Sequence, residues 1–425
     1  MSVLGDLKVV AVHRDFRKLL AVRLVSQLGD GMFQAGLATL FFFAPERAAT
    51  ATAVATAFTV LLLPFTVVAP VAGPLLDRWR RRQVLLLGNG ARVALSLAIA
   101  ALMSTAGVGP AVYVLALVTL GVNRFLLAAL SAALPRVVPR DQLLMANTIT
   151  PNLGAVAAVA GGALGLLLGG VAPDGVVLVV AAALFGAAST LALRLGREQL
   201  GPERRSLQLW ADLRATLADL ADGARWLLRR RTPALGLGVM AVHRFLYGVN
   251  FIALILISRN LLSDPADADA GMATFGLLAG LSFVGNGIGI LLTPIAHERM
   301  SPATWIAVCL GVGAFSQGLM AFSAERAVVI TAAILLGLSV QGAKIAVDTI
   351  VQRDTDDDYR GRAFSLYDML YNAAFVGAAA LAAAALPDTG WSRAVFAGVA
   401  GAYAVTAVAY RTLNARAEAR HAVGA

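Results

Sequence analysis

Long apolar segments alternate with short polar segments along the whole chain. Because a helix needs about 20 mostly apolar residues to cross a bilayer, each long apolar segment is interpreted as one membrane-spanning helix. The pattern predicts twelve spans, at residues 19–43, 52–76, 84–104, 110–133, 144–170, 175–195, 233–257, 272–296, 303–323, 327–350, 363–386 and 391–411. Ala- and Gly-rich helices blur the edges of these segments, which leaves eleven spans as the alternative count. The pattern therefore predicts an all-α integral membrane protein.

The composition excludes the other common classes of protein. The chain has 425 residues, of which 59% are hydrophobic and only 14% are charged. Soluble domains are about 45–50% apolar and about 25% charged, and a water-soluble fold of this size could not hide the apolar excess. A soluble enzyme and a disordered chain are thus both excluded.

The basic residues are distributed unequally between the two sides of the membrane. With an even number of spans and a cytoplasmic N-terminus, 27 of the 35 Lys and Arg residues fall in cytoplasmic segments, including the N-terminal residues up to Arg23. Only four fall in the outer loops. Because Lys and Arg accumulate in cytoplasmic loops, both termini are predicted to be cytoplasmic, in a bacterial inner membrane. The net charge of +10 then requires no nucleic-acid partner.

Motifs for cofactors are missing from the sequence. The single Cys309 excludes an intramolecular disulfide, and no Cys/His cluster suggests a metal site. No P-loop is present, which argues against transport driven by ATP. We therefore predict that the chain uses no cofactor.

The longest cytoplasmic loop divides the chain into two halves. We predict an N-terminal six-helix bundle at 1–195, a cytoplasmic linker at 196–232 and a C-terminal six-helix bundle at 233–425. Within the linker, apolar residues recur at steps of three and four: Leu207, Trp210, Leu213, Leu217, Leu220, Ala224 and Leu227. This spacing predicts an amphipathic helix on the cytoplasmic leaflet, with a plain linker helix as the alternative.

A motif of glycine, acid and arginines follows span two. It reads Gly73-Pro-Leu-Leu-Asp77-Arg78-Trp-Arg-Arg81-Arg82. The run resembles the loop 2–3 signature of the major facilitator superfamily (MFS), Gly-x-x-x-Asp-Arg-x-x-Arg-Arg, in both spacing and position. A weaker echo, Pro294-Ile-Ala-His-Glu-Arg, lies at the matching place in the second half.

The resemblance covers essentially the whole chain. It implies the MFS fold of two pseudo-symmetric six-helix bundles and transport by alternating access, not enzyme activity. The stretches that begin at Leu134 and at Gln352 look like a bacterial branch with enterobactin-exporter-like and macrolide-exporter-like proteins. One departure concerns span five, where antiporters of the superfamily usually carry Gly-Pro. Here Gly161, Gly165 and Gly169 form a Gly-xxx-Gly face that permits close packing, and this weakens the implied antiport more than the fold.

Charged residues inside the first-half spans are candidates for proton coupling. A charge at membrane depth is costly and usually faces a cavity or a partner. Asp30 lies near the middle of span one, and Arg124 lies midway along span four. Because spans one and four line the central cavity in this superfamily, the two residues are a candidate pair in which Asp30 exchanges a proton. A permanent ion pair is the alternative. Arg92 in span three is expected to be shallower and to snorkel.

Span seven, the symmetry mate of span one, carries polar residues near mid-depth. His243 titrates near physiological pH, which makes it a third candidate for proton coupling, with a hydrogen-bonded packing role as the alternative. The predicted substrate cavity combines polar residues of spans one, four, seven and ten: Gln27, Gln34, Asn123, Arg244, Tyr247, Asn250, Gln341 and Lys344.

Charges near the cytoplasmic ends of the spans predict a gate. Lys344 and Asp348 lie four residues apart in span ten, close enough on a helix to interact. The full predicted gate comprises Gly73, Asp77, Arg78, Arg81, Arg82, Arg136, Asp348, Arg353, Arg362 and Asp368.

Three functions are compatible with these features. The first is proton-coupled export of amphipathic small molecules such as drugs or siderophore-like compounds. The second is a transporter or flippase for anionic or lipid-linked substrates, because deep cations outnumber deep acids. The third is a non-transporting partner in a membrane complex. The expected partners are the lipid bilayer, a small-molecule substrate and protons, and the expected state is a monomer.

Overall fold

A computed structural model describes residues 11–42, 50–56, 59, 79–107, 109–139, 142–172, 175–196, 198–201 and 209–423. The helices, in chain order, are α1 (Arg14–Phe42), α2 (Arg81–Ala106), α3 (Pro110–Ala133), α4 (Leu143–Gly169), α5 (Val176–Ala192), α6 (Leu209–Arg229), α7 (Arg231–Asn260), α8 (Ala268–His297), α9 (Pro302–Phe322), α10 (Arg326–Asp354), α11 (Asp357–Ala385) and α12 (Arg393–Val423). No strand occurs in these ranges.

The helices match the predicted spans closely. Every predicted span except the second coincides with a described helix, and most of residues 52–76 lie outside the described part of the chain. Among the described residues, nine helices are long and apolar enough to cross a membrane, namely α2–α4 and α7–α12. The apolar helix α5 is shorter, and α1 carries Arg23 and Asp30 in its predicted span. The all-α membrane fold is thus confirmed.

The chain divides into two compact units. The first contains α1–α5, the second contains α7–α12, and the division lies between Leu217 and Ala218, inside α6. That point falls within the predicted linker at 196–232. The described residues 50–56 group with the second unit, although the sequence prediction assigned them to the first bundle.

In the first unit, α1 and α4 approach each other at glycines. A Cβ atom on Gly31 would overlap the carbonyl oxygen of Ala158, and one on Gly161 would overlap that of Leu28. A Cβ on Gly165 would lie 2.9 Å from the Cβ of Ala35. The predicted Gly-xxx-Gly face therefore packs against α1 at Gly161 and Gly165, where small residues let the two backbones meet.

Two helix pairs of the second unit also approach each other closely at glycines. A Cβ on Gly248 of α7 would lie 2.6 Å from the Cβ of Ala378 on α11. Between α8 and α10, Cβ atoms on Gly285 and Gly337 would overlap carbonyl oxygens of the facing helix. Close helix contacts at glycine thus fix the helix spacing in both units.

The linker helix α6 packs partly on the second unit. Leu227 is 4% exposed and belongs to the apolar core of that unit. Trp226 stacks on Tyr359 of α11, with ring centroids 4.8 Å apart. Leu217 and Leu228 remain exposed. The amphipathic helix is therefore present, but part of its apolar face is covered by protein, which the leaflet interpretation did not include.

Candidate functional site

Asp30 is the centre of a buried polar cluster in the first unit. Its Oδ1 accepts a charged hydrogen bond of 2.5 Å from Nη2 of Arg92 on α2. Its Oδ2 accepts a hydrogen bond of 2.6 Å from Nε2 of Gln34, one turn further along α1. Each carboxylate oxygen therefore has a donor, and the negative charge has a direct positive partner.

The partner differs from the one that the sequence predicted. Arg92 was expected to snorkel, yet its side chain is 0% exposed. Because α2 begins at Arg81, Arg92 lies about 16 Å along the helix at 1.5 Å per residue, which is near mid-depth. Arg124 on α3 is half-buried and close enough to act electrostatically on Asp30. Arg92 thus supplies the hydrogen-bonded ion pair, and Arg124 adds to the positive field.

Arg92 joins Asp30 to the neighbouring helices. Its Nη1 donates to Ser26 Oγ and to Asn123 Oδ1, both at 3.3 Å. Its guanidinium lies 3.6 Å from the ring centroid of Phe185 on α5. A change in the position of Arg92 would therefore alter its contacts with α1, α3 and α5 together.

Further amides extend this network. Gln27 Nε2 donates to Asn123 Oδ1 at 3.3 Å, and Ser26 Oγ donates to Asn89 Oδ1 at 2.9 Å. The predicted cavity residues Gln27, Gln34 and Asn123 are thus brought together around Asp30. Sequence reasoning missed Asn89 and Ser26 and expected Arg92 to snorkel, although all three are polar residues inside predicted spans.

His243 lies in the core of the second unit with both ring nitrogens occupied. Nδ1 lies 3.0 Å from the hydroxyl of Tyr403, and Nε2 lies 3.3 Å from Oγ of Ser339. Ser339 donates its own proton to the carbonyl oxygen of Cys309, so its Oγ accepts from Nε2–H. The Tyr403 hydroxyl lies between Nδ1 and the backbone carbonyl oxygen of His243, to which it donates at 3.4 Å. Both ring nitrogens thus have partners inside the core of the second unit, which suits a hydrogen-bonded packing role.

Arg244 faces a wall of aromatic rings. Its Cζ lies 4.1 Å from the ring centroid of Tyr371, 4.4 Å from that of Phe375 and 5.2 Å from that of Tyr247. Its Nε is buried without a hydrogen-bond partner. Ring faces attract a cation through their quadrupole, so the aromatic wall stabilises Arg244 without neutralising it.

The remaining predicted cavity residues of the second unit occupy α7 and α10. Asn250 is buried, whereas Gln341 and Lys344 are half-buried. Lys344 Nζ donates to Asp348 Oδ2 at 2.7 Å and lies 5.8 Å from the ring of Tyr367. The predicted pair at four-residue spacing is thus formed.

Two of the predicted gate arginines of the second unit lie in ion pairs. Arg353 pairs with its neighbour Asp354 at 2.6 Å, and Arg362 lies 3.5 Å from Asp219 of α6. Asp368 is exposed. Arg353 and Arg362 each therefore have an acidic partner.

In the first unit, Arg81 and Arg82 of the motif donate to backbone carbonyl oxygens. Arg81 Nη1 donates to the carbonyl oxygens of Ala132 and Leu200 at 2.9 and 3.0 Å. Arg82 donates to the carbonyls of Ala192 and Leu193 at the end of α5. Basic groups at helix C-termini satisfy orphan carbonyls and suit the helix dipole.

The other predicted gate residues of the first half are either exposed or lie outside the described part of the chain. Arg136 is exposed. Gly73, Asp77 and Arg78 lie outside the described residues. The gate as a whole stays a prediction.

Comparison with known proteins yields relatives over nearly the full length. No protein-family model matches the chain. The chain is 35% identical over 382 residues to uncharacterised MFS-type transporters of Mycobacterium tuberculosis and Mycobacterium bovis, covering 88% of this chain and 86% of each relative. It is 27% identical over 398 residues to an uncharacterised MFS-type transporter of Sinorhizobium fredii, covering 92% of this chain and 93% of the relative.

Solved structures share the same architecture. The nucleoside transporter NupG superposes with a TM-score of 0.68 at 13% identity, covering 94% of this chain and 99% of that one. A mutant of the peptide transporter POT superposes with a TM-score of 0.70 at 12% identity, covering 95% of each chain. At such low identity, these likenesses concern the fold alone.

Proposed function

The chain belongs to the MFS-type transporters, a family of membrane transporters and not of enzymes, and from this premise we propose that it is a proton-coupled exporter of amphipathic small molecules. The single observation that carries the proposal is the buried ion pair between Asp30 and Arg92. The resemblance to the enterobactin-exporter and macrolide-exporter branch supports the outward direction. The excess of basic residues in the predicted cytoplasmic segments supports an inner-membrane location with both termini in the cytoplasm.

Asp30 is suited to couple a proton to a conformational change. While Asp30 is ionised, it compensates the charge of Arg92 in a buried site. Protonation of Asp30 removes that compensation, and a buried cation without a counter-ion is strongly unfavourable. Because Arg92 also contacts residues of α1, α3 and α5, its release repacks four helices. Such repacking can bias the rocking of two six-helix halves in alternating access.

The test measures proton movement in proteoliposomes that contain the purified protein. Ethidium serves as an amphipathic cationic probe, and a pH-sensitive dye in the lumen reports protons. We expect Asp30→Asn to abolish the dependence of ethidium transport on an imposed pH gradient. Asp15→Asn is the matched control, since Asp15 lies at the start of the same helix and its pKa is lowered by the hydrogen bond from Lys18. Gradient-driven transport that is unchanged in Asp30→Asn would refute the coupling role and leave Asp30 and Arg92 as a permanent ion pair.

A second candidate function is transport of anionic aromatic substrates. The observation that favours it is Arg244, which stacks on three rings and leaves its Nε without a hydrogen-bond partner. A substrate with an aromatic body and a carboxylate or phosphate would satisfy both features of this wall. Transport of a naphthalenesulfonate dye in place of ethidium would select this candidate.

A further inference from the structure

Arg23 is a buried cation that sequence reasoning counted with the cytoplasmic charges. It lies within α1, and its side chain is buried, with an exposure of 6%. Its Nε and Nη1 are both inaccessible and have no hydrogen-bond partner. Arg92, by contrast, has Asp30 and two polar acceptors, and Arg244 has three aromatic rings. Within the part of the chain that the structure describes, no ion pair compensates Arg23.

The space around Arg23 is made by a glycine of α4. A Cβ atom on Gly154 would lie 2.9 Å from Nε of Arg23 and 3.6 Å from its Cδ. The same Cβ would lie 3.6 Å from Cγ of Gln27. The missing side chain at Gly154 therefore leaves room for the guanidinium and the neighbouring amide together.

Gln27 offers a second donor beside Arg23. It lies four residues further along α1, on the same helix face. Its amide nitrogen carries two protons, and the contact with Asn123 Oδ1 at 3.3 Å uses one of them. A guanidinium and an amide that lie side by side on one helix face can together hold an oxyanion, since the planar fork of arginine matches a carboxylate or a phosphate.

We propose that Arg23 and Gln27 form an oxyanion-binding site against Gly154 in the first unit. The ligand group is a carboxylate or a phosphate, which neutralises the buried guanidinium and completes its hydrogen bonds. The group can belong to a free small anion or to the headgroup of an anionic lipid. The site is separate from the proposed proton coupling, because neither Asp30 nor Arg92 would bind the anion. Among the described residues, Gln27 is connected to them only through Asn123.

The test compares binding and stability in the purified full chain. Inorganic phosphate and octanoate are titrated in detergent, and the unfolding temperature and equilibrium binding are recorded. In a second arm, nanodiscs of phosphatidylglycerol are compared with nanodiscs of phosphatidylcholine. We expect Arg23→Gln to weaken anion binding at least tenfold, Arg23→Lys to weaken it less, and Gly154→Ala to weaken it by crowding Nε. Gly162→Ala is the control, because a Cβ there meets only the carbonyl oxygen of Gly31 at 3.8 Å.

The outcomes separate the ligand sources and the two proposals. Stabilisation by soluble phosphate or octanoate identifies a free anion, and stabilisation by phosphatidylglycerol alone identifies a lipid headgroup. Either result supports the site if it is lost in Arg23→Gln. Without ligand, we expect Arg23→Gln to unfold at no lower temperature than the parent, since it removes an uncompensated charge. Unchanged anion binding in both Arg23→Gln and Gly154→Ala would overturn the site. Asp30→Asn should keep full anion binding, so a failure of the proton-coupling proposal can be distinguished from a failure of the anion site.

Discussion

The guanidinium of Arg92 and the carboxylate of Asp30 form an ion pair whose side chains are 0% and 4% exposed. Removing one partner of such a pair leaves a buried charge, which typically costs about 3–5 kcal/mol of stability. We expect Arg92→Gln alone to lower stability by roughly this amount. The double variant Asp30→Asn with Arg92→Gln should be more stable than Arg92→Gln, because neither charge remains.

A double-mutant cycle of unfolding in detergent measures this coupling. Ser189→Ala is a suitable control. Ser189 donates to the carbonyl oxygen of Leu86, which lies on α2 as Arg92 does, but Ser189 takes no part in the ion pair. Additive effects of the two substitutions would show that Asp30 and Arg92 do not depend on each other.

Both nitrogens of His243 have hydrogen-bond partners inside the core of the second unit. We therefore expect His243→Gln to lower the unfolding temperature, because the bonds to Tyr403 and Ser339 are lost or weakened. The pH profile of ethidium transport should stay where it is in the parent protein. A shift of that profile by one pH unit or more in His243→Gln, with Asp30 intact, would restore His243 as a proton-coupling residue.

The positions of the spans could be predicted, but the partners of the buried charges could not. Apolar length is a local property, so α3 begins and ends where the sequence indicated. The polar face of α1 was also readable, because Gln27, Asp30 and Gln34 recur at helical spacing. Which helix meets that face depends on packing and rotation, which have no local signal. Hence Arg92 replaced Arg124 as the direct partner.

The same limit explains the sites that sequence reasoning missed. Arg23 was counted as a cytoplasmic charge because it lies near the start of a span. Its burial results from the close approach of α4 at Gly154, and one sequence does not reveal a contact between residues 131 positions apart. By contrast, the pair between Lys344 and Asp348 was predicted, since both residues lie on one helix.

The aromatic wall beside Arg244 predicts that arginine is preferred to lysine at that position. Cation–π contacts contribute about 0.5–2 kcal/mol, and arginine stacks on rings better than lysine does. If the wall binds an anionic aromatic substrate, Arg244→Lys should weaken affinity for a naphthalenesulfonate dye by about 3- to 30-fold, and Arg244→Ala should abolish binding. Val242→Ala, an exposed position on the same helix, should leave affinity unchanged. Equal affinities in all three variants would exclude this wall from the binding site.

The contact of α1 with α4 allows a sharp test of packing. A Cβ on Gly31 would overlap Ala158 O, so Gly31→Ala must push the helices apart. Overpacking of this kind costs about 1–3 kcal/mol. Gly287→Ala meets nothing within 4 Å and should be neutral or stabilising by about 0.5–1 kcal/mol, since alanine suits a helix better than glycine. Thermal unfolding of both variants in one detergent gives the comparison, and equal unfolding temperatures would contradict the close approach.

The stack of Trp226 on Tyr359 predicts that α6 is held to the second unit. The rings lie 9° from parallel, and Arg230 lies 5.0 Å from the ring centroid of Trp226. Aromatic pairs contribute about 0.5–1.5 kcal/mol beyond the area they bury, so Trp226→Ala should release α6 locally without unfolding the bundle. Trypsin should then cleave after Arg225 and Arg229 several-fold faster, as followed by mass spectrometry. Leu228→Ala is the control, because Leu228 is 78% exposed and its loss should not change cleavage. Equal cleavage rates in Trp226→Ala and the parent would mean that other contacts, such as Arg362 with Asp219, hold the helix in place.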